Sequence, residues 1–247
     1  MNTEKRKGLT QRKFDFSPPR PRPFLSNLSA RIDTYEEGVA HFFRWRTGLD
    51  YYATIDQIVD FVIDTRRMRV VDLLTDTGAF ALRLVSRKGF VGKVYSFDTN
   101  ITLLERARQR ARHMSLDQVV EFRHLEEPGS PLADGFAEVV VSIFDFHRHP
   151  PEQFMAEAMR ILAPEGHLIL ADVLESGSAT GRQRELLRRL YMRYVQKNRA
   201  EADGNYLDRE SMIDLLFSAG FRQVILQGLK VASSPHEGVF SLIAATK

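Results

Sequence analysis

RVVDLLTDTGAF, residues 69–80, runs from an apolar stretch through a polar turn into a second apolar stretch, and that passage decides the fold. Val70, Val71, Leu73 and Leu74 make the near-continuous apolar run of a strand buried on both faces. Gly78 then opens Ala79, Phe80, Ala81, Leu82, Leu84 and Val85, a segment too long and too unalternating for another strand, which predicts a helix. Strand, turn and helix in this order begin a parallel α/β sheet. The crevice at the carboxyl end of its first strand suits a nucleotide-like ligand, because a glycine lets backbone come close and the helix N-terminus offers free N–H groups.

Downstream, the same logic gives alternating strands and helices. A second strand over Lys93 to Phe97 ends at Asp98, where a carboxylate can accept both hydroxyls of a ribose in the first crevice. Ile101 to Met114 reads as a helix with Leu103, Leu104, Ala107 and Ala111 inward and Arg106, Arg108, Arg110 and Arg112 on a solvated face. Strands are predicted at Val119 to His124, Phe136 to Phe144 and His167 to Asp172, with a helix from Glu152 to Leu162 and the turn Ala163-Pro164-Glu165-Gly166 before the last of them. A helix over Arg182 to Asn198 carries Leu186, Leu187, Leu190, Tyr191, Tyr194 and Val195 on one stripe, expected to lie over the substrate side. Asp208 caps a helix to Ala219, and AGFRQVIL and GVFSLIAAT make the closing strands.

Together these stretches resemble the class I S-adenosylmethionine-dependent methyltransferases, nearest to the branch that includes ubiquinone and menaquinone biosynthesis enzymes. The first motif of that family, V-L-D-L-G-C-G-T-G, is met by V-V-D-L-L-T-D-T-G at residues 70–78, with Leu74 and Asp76 where the family has its first two glycines. EAMRILAPEGHLILAD, residues 157–172, follows the family's E-x-x-R-V-L-K-P-G-G-x-L-x-I-x-D, with Glu165 in place of a glycine. The resemblance implies a Rossmann-like, doubly wound α/β sheet of seven strands, mostly parallel with an antiparallel last strand and helices on both faces. It implies S-adenosylmethionine as cofactor, with Asp72, Thr75, Thr77 and Gly78 at the methionine end, Asp98 on the ribose and Glu126 at the adenine. His147, in the run DFHRHPP after the fourth strand, is the expected base toward a methyl acceptor that the sequence does not identify. Asp145 and His149 share that run, but two histidines do not make a metal site, and none is expected.

Other chemistries on similar topologies lack their motifs. No G-x-G-x-x-G follows the first strand, no G-x-x-x-x-G-K occurs, and there is no G-x-S-x-G nucleophile elbow. With no cysteine there is neither a disulfide framework nor a thiolate zinc site.

The net charge of +3 is unevenly spread. Residues 1–31 hold eight Lys and Arg against Glu4 and Asp15, so this tail accounts for the basic balance and the rest of the chain is net acidic. Pro18, Pro19, Pro21 and Pro23 deny the tail a helix. The organisation read from this is a basic, proline-rich tail (1–27) able to contact a polyanion, and a helical cap (28–66). A methyltransferase-like domain (67–247) follows, with a helical insertion at 181–200. No run reaches membrane-spanning length and the N-terminus has no signal-peptide core, so a cytoplasmic protein is expected. The competing reading is a relative that keeps the fold but has lost catalysis, binding partners through its basic arm.

Overall fold

The computed structural model describes residues 34–125, 129–175, 179–195, 197–228 and 239–247. The expected tail (1–27) and Glu126 lie outside these residues. Two helices, α1 (Thr34–Thr47) and α2 (Tyr51–Asp64), precede β1 (Arg69–Leu73), α3 (Ala79–Ser86), β2 (Lys93–Asp98), α4 (Ile101–His113) and β3 (Val120–His124). Then come β4 (Ala137–Ile143), a 3₁₀ turn (Phe146–Arg148), α5 (Pro151–Ile161) and β5 (Leu162–Leu174). The chain closes with α6 (Ala179–Tyr194), α7 (Arg199–Ala202), α8 (Arg209–Ser218), β6 (Arg222–Gly228) and β7 (Val239–Thr246).

The strands form one seven-stranded sheet in the order β3, β2, β1, β4, β5, β7, β6. β1 pairs in parallel with both β2 and β4, so the chain reverses its winding direction beside β1 and opens a crevice at the carboxyl ends there. β7 alone runs antiparallel, between β5 and β6. Successive residues of the central strands feed opposite cores. Val70, Val139, Val141, Ile169 and Ala171 join α2, α3 and α4 on one face, whereas Val71, Leu73, Val140, Leu168 and Leu170 join α5 and α8 on the other. That period of two, with both faces apolar, is why these strands read as continuous hydrophobic runs. The α2 side chains Ile55, Ile58, Val59 and Val62 are buried in the same core as the sheet.

Two expectations are corrected. The segment at residues 163–166 is not a turn outside the sheet, because β5 already begins at Leu162 and pairs with Ala137 before its register shifts. Glu165, at φ 60°, takes the left-handed conformation that the family's glycine would supply and absorbs the irregularity as a bulge. The second correction concerns α6, whose apolar stripe faces outward: Leu187, Tyr194 and Val195 are 66%, 70% and 62% exposed.

Candidate functional site

The site is built on the turn after β1. Leu74 and Thr75 donate their N–H groups to the Phe97 carbonyl at 2.8 and 2.9 Å, which folds the chain away from β1 toward the end of β2. The Thr75 hydroxyl donates to Asp72 Oδ2 at 2.5 Å, and the Gly78 N–H closes the turn on the Thr75 carbonyl at 2.9 Å. Gly78 sits at φ 74°, where α3 starts, and a Cβ there would meet the Phe122 ring at 2.8 Å. Its lack of a side chain is therefore required by the packing of β3 as well as by the backbone.

Leu74 and Asp76 keep the left-handed backbone of the glycines they replace, with φ of 67° and 53°. Such conformations cost a side chain roughly 1–2 kcal/mol, so each must be held by its surroundings. Leu74 is held by packing, since it is 3% exposed among Leu73, Phe97 and Phe146 in the α5-side core. Asp76 is held by its backbone N–H, which donates to Asp98 Oδ2 at 2.7 Å, and by a hydrogen bond between its carboxylate and the Tyr35 phenol of α1. The two replacements are thus not equivalent. Asp76→Gly relieves strain and removes a buried carboxylate, and is expected to raise stability by about 1 kcal/mol. Leu74→Gly vacates core volume, and is expected to cost about 2 kcal/mol net of the relieved strain. Denaturant midpoints of the two single variants check this, and shifts of the same sign would contradict it.

Four carboxylates converge on the crevice. Burial pushes Asp72 up to about 7, helped by Asp98 and Asp76 and opposed by the Thr75 hydrogen bond. Burial and the neighbouring Asp145 likewise push Asp76 up to about 7, against Arg148, the one cation among the shift's principal causes. Burial also raises Asp98, although it accepts the backbone N–H groups of Asp76 and Asn100. A narrow cavity of about 30 Å³ lies between Asp72, Asp76, Asp145, Arg148 and Tyr51, and another of about 80 Å³ between Thr99, Leu125, His149 and Phe154. Leu74 lines both, standing between them. Each admits a few water molecules rather than a nucleoside, so a cofactor enters only if α1 or the Leu74 side chain shifts.

α1 is tied across this crevice at two points. Besides Tyr35, Glu36 is 5% exposed and pairs with Arg110 of α4, whose guanidinium also donates to the Thr77 carbonyl at 3.2 Å. Arg110 therefore links α1 to the motif turn instead of standing on a solvated face. Tyr51 packs in an aromatic cluster with Phe43 and Phe144 at ring separations of 5.7 and 5.3 Å, and Tyr52 lies under the Arg83 guanidinium.

His147 is 6% exposed and held on every side. Its Nδ1 faces both Asp172 oxygens at 3.0 Å, its Nε2 faces Glu201 Oε1 at 3.2 Å, and the Tyr206 ring stacks on it at 4.5 Å. Burial alone would lower the imidazole, but the Asp172 and Glu201 carboxylates outweigh it and push it up to about 9. Both ring nitrogens of the residue expected to act as base are thus engaged by carboxylates in this conformation. Its raised pKa makes a stability contribution that is complete below about pH 6.5 and lost as the pH rises through 9. Melting temperature should therefore fall more steeply between pH 7 and 10 in the parent chain than in His147→Gln. Parallel profiles would show that the ring is neutral in the fold.

Glu201 is the residue that sequence reading missed most completely. It accepts from Arg148 Nη2 at 2.7 Å, from His147, and from the Tyr206 hydroxyl at 2.7 Å. Arg148 in turn donates to Asp145 at 2.6 Å. A continuous ionic chain thus runs from the crevice to the α6–α7 segment. Nothing in the spacing of residues 147, 172 and 201 signals it. Among the described residues no group of His, Asp and Glu is arranged to hold a metal ion, and no helix is long and apolar enough to cross a membrane.

An open, mostly parallel sheet with an acidic crevice at the carboxyl end of β1 defines the class of Rossmann-like ligand-binding α/β domains. Residues 71–170 match the family described as methyltransferase domain. The demethylmenaquinone methyltransferase of Thermus thermophilus is 30% identical over 115 residues, which are 46% of this chain and 51% of that protein. The chain thus spans about half the length of this curated relative. Among solved structures, a Thermotoga maritima S-adenosylmethionine-dependent methyltransferase, described as a possible histamine N-methyltransferase, superposes with a TM-score of 0.59 at 23% identity, covering 86% of this chain and 98% of that one. A geranyl diphosphate methyltransferase solved with GPP and sinefungin gives a TM-score of 0.60 at 16% identity, with 76% of each chain covered. Both share the fold.

Proposed function

We propose that the protein transfers a methyl group from S-adenosylmethionine to an acceptor bound on the α1 and α6 side of the crevice. The observation that carries this reading is the orphaned polar surface of the motif turn. Asp76 Oδ1 and Thr77 Oγ1 are buried without a hydrogen-bond partner among the described residues. Buried polar atoms are rarely left unpaired, and these two stand where the family's turn receives the methionine end. The charge also suits the cofactor, which carries a sulfonium and an ammonium against one carboxylate, while among the described residues Asp72, Asp76 and Asp145 are met by the Arg148 guanidinium and, at Asp145, by the His149 ring at 3.4 Å. In this reading Asp76 meets the ammonium, Arg148 meets the carboxylate, and Thr75, Thr77 and Gly78 shape the turn. Asp98 keeps a lone pair on each oxygen for the ribose, and Glu126 remains the proposed adenine partner.

When bound, the cofactor supplies an electrophilic methyl on a sulfonium, and displacement from it needs alignment and dryness more than a protein nucleophile. Tyr35 and α1 would exclude water from above. His147, as an imidazolium, would fix the Arg148 and Glu201 side chains at the acceptor edge, a positioning role rather than proton removal.

Calorimetry tests this directly. S-adenosylmethionine is expected to bind, more tightly than the uncharged thioether product S-adenosylhomocysteine at low salt. Its affinity is expected to rise between pH 6 and 8 as Asp72 and Asp76, both pushed up to about 7, become anionic. Absence of binding at millimolar cofactor would sink the reading and leave the non-catalytic relative as the better account.

A further inference from the structure

The structure assigns a docking surface for anionic lipid to the outer face of α6 and the adjoining part of α1. α6 is an inverted amphipath. Three of its charged residues turn toward the body, where Glu185 pairs with Arg188 and with Arg46 of α1, Arg189 donates to Glu175 at 2.6 Å, and the Arg188 guanidinium lies 4.6 Å from the Tyr206 ring centre. Met192 is buried, but the other apolar residues from Leu186 onward turn outward: Leu186, Leu187, Leu190 and Tyr194 are 59%, 66%, 44% and 70% exposed, and Val195 just beyond the helix is 62% exposed. A helix of a water-soluble face does the reverse. Trp45 of α1 extends the patch, 44% exposed and 6.4 Å from the Tyr191 ring. Contiguous exposed apolar surface with a polar rim marks an interaction site.

Charge selects the occupant. Arg44, Arg193, Lys197 and Arg199 are exposed around or next to the patch, against Asp203, which pairs with Arg193. A second copy of this face would bring the basic rims together and repel. An anionic bilayer surface answers both features, taking the leucine and aromatic side chains into its interfacial zone and the arginines and lysines onto its headgroups. Trp and Tyr are the side chains that settle at that depth. The face is carried by a helix joined to the body through Arg46, Glu175 and Tyr206 rather than by a free peptide. Its ordering cost is therefore already met by the inward ion pairs.

The chain contains one tryptophan, so Trp45 reports on this surface alone. The 247-residue chain is mixed with vesicles of phosphatidylcholine, or of phosphatidylcholine with phosphatidylglycerol, and Trp45 emission and co-sedimentation are read. Emission is expected to shift to shorter wavelength, and to be quenched by lipids brominated on the acyl chain, only with the anionic vesicles and less at high salt. The triple variant Leu187→Asn, Tyr194→Asn, Val195→Asn is expected to partition roughly tenfold or more weakly, with its thermal transition unchanged because these side chains are already in water. An unshifted Trp45 with anionic vesicles would overturn the assignment, as would undiminished binding by the triple variant. So would a parent chain that dimerises in light scattering while the triple variant stays monomeric, since a second copy would then be the occupant.

Discussion

Replacing Glu201 by alanine is expected to cost about 3–5 kcal/mol of folding stability, the penalty for stranding buried charges by removing one partner. Glu201 is 2% exposed, and its carboxylate takes hydrogen bonds from His147, Arg148 and Tyr206. Against its own burial, the bonds from His147 and Arg148 hold its pKa far below the ordinary carboxylate range. Removing it takes one of two carboxylate partners from both the His147 ring and the Arg148 guanidinium, and it frees the Tyr206 hydroxyl. Arg148 keeps Asp145 and His147 keeps Asp172, so the loss is bounded. Glu201→Gln, which retains an acceptor and the shape, should fall between parent and alanine. Denaturant unfolding measures all three. A loss below about 1 kcal/mol in the alanine variant, the range of exposed ion pairs, would mean that the network is open to water and that α7 does not clamp the 3₁₀ turn.

The second large effect is at Asp98. The carboxylate accepts from Asp76 N at 2.7 Å and from Asn100 N at 2.8 Å. Asn100 in turn caps α4 through Thr102 and Leu103. Asp98→Ala thus orphans two backbone donors, each worth roughly 1–3 kcal/mol. The relief of a desolvated carboxylate offsets part of this, for a net loss of about 2–4 kcal/mol. On the proposed function it also removes the ribose acceptor, so S-adenosylmethionine affinity should drop roughly ten- to hundredfold at a temperature where the variant is folded. Thermal unfolding and calorimetry separate the two. An unchanged melting temperature would show that Asp98 does not tether the motif turn, and unchanged affinity would place the ribose elsewhere. Sequence reasoning anticipates only the second loss, since the carboxylate's bond to Asp76, 22 residues earlier, exists only in the folded turn.

Legibility differed from residue to residue for physical reasons. Val70, Val71, Val139, Val140, Ile169 and Leu170 announce buried parallel strands because side-chain alternation is a local property that any window of the chain displays. Gly78 and Asp98 are legible for a related reason: a strand that ends in a turn places the next few residues at the crevice whatever else the chain does. Leu74 and Asp76 are legible as departures from a glycine pattern, but not in their consequence. Both keep the left-handed backbone, one held by core packing and the other by Asp98 and Tyr35. His147 was visible as a histidine at the end of a strand, the usual place for a base. Its protonation depends on carboxylates 25 and 54 residues away, which no periodicity connects to it.

The sequence by itself determined the alternation of strands and helices, the crevice at the end of β1 and the acidic residues that reach the crevice. Each follows from short-range patterns of apolar, glycine and turn residues. Tertiary structure alone decided that His147 is clamped between Asp172 and Glu201, that Arg110 and Tyr35 close α1 over the turn, and that α6 turns Glu185 and Arg188 inward and its leucines outward. A helical stripe states only that a helix has two unlike faces. Which face meets the body depends on the partners the body presents, and here Arg46, Glu175 and Tyr206 attract the charged face.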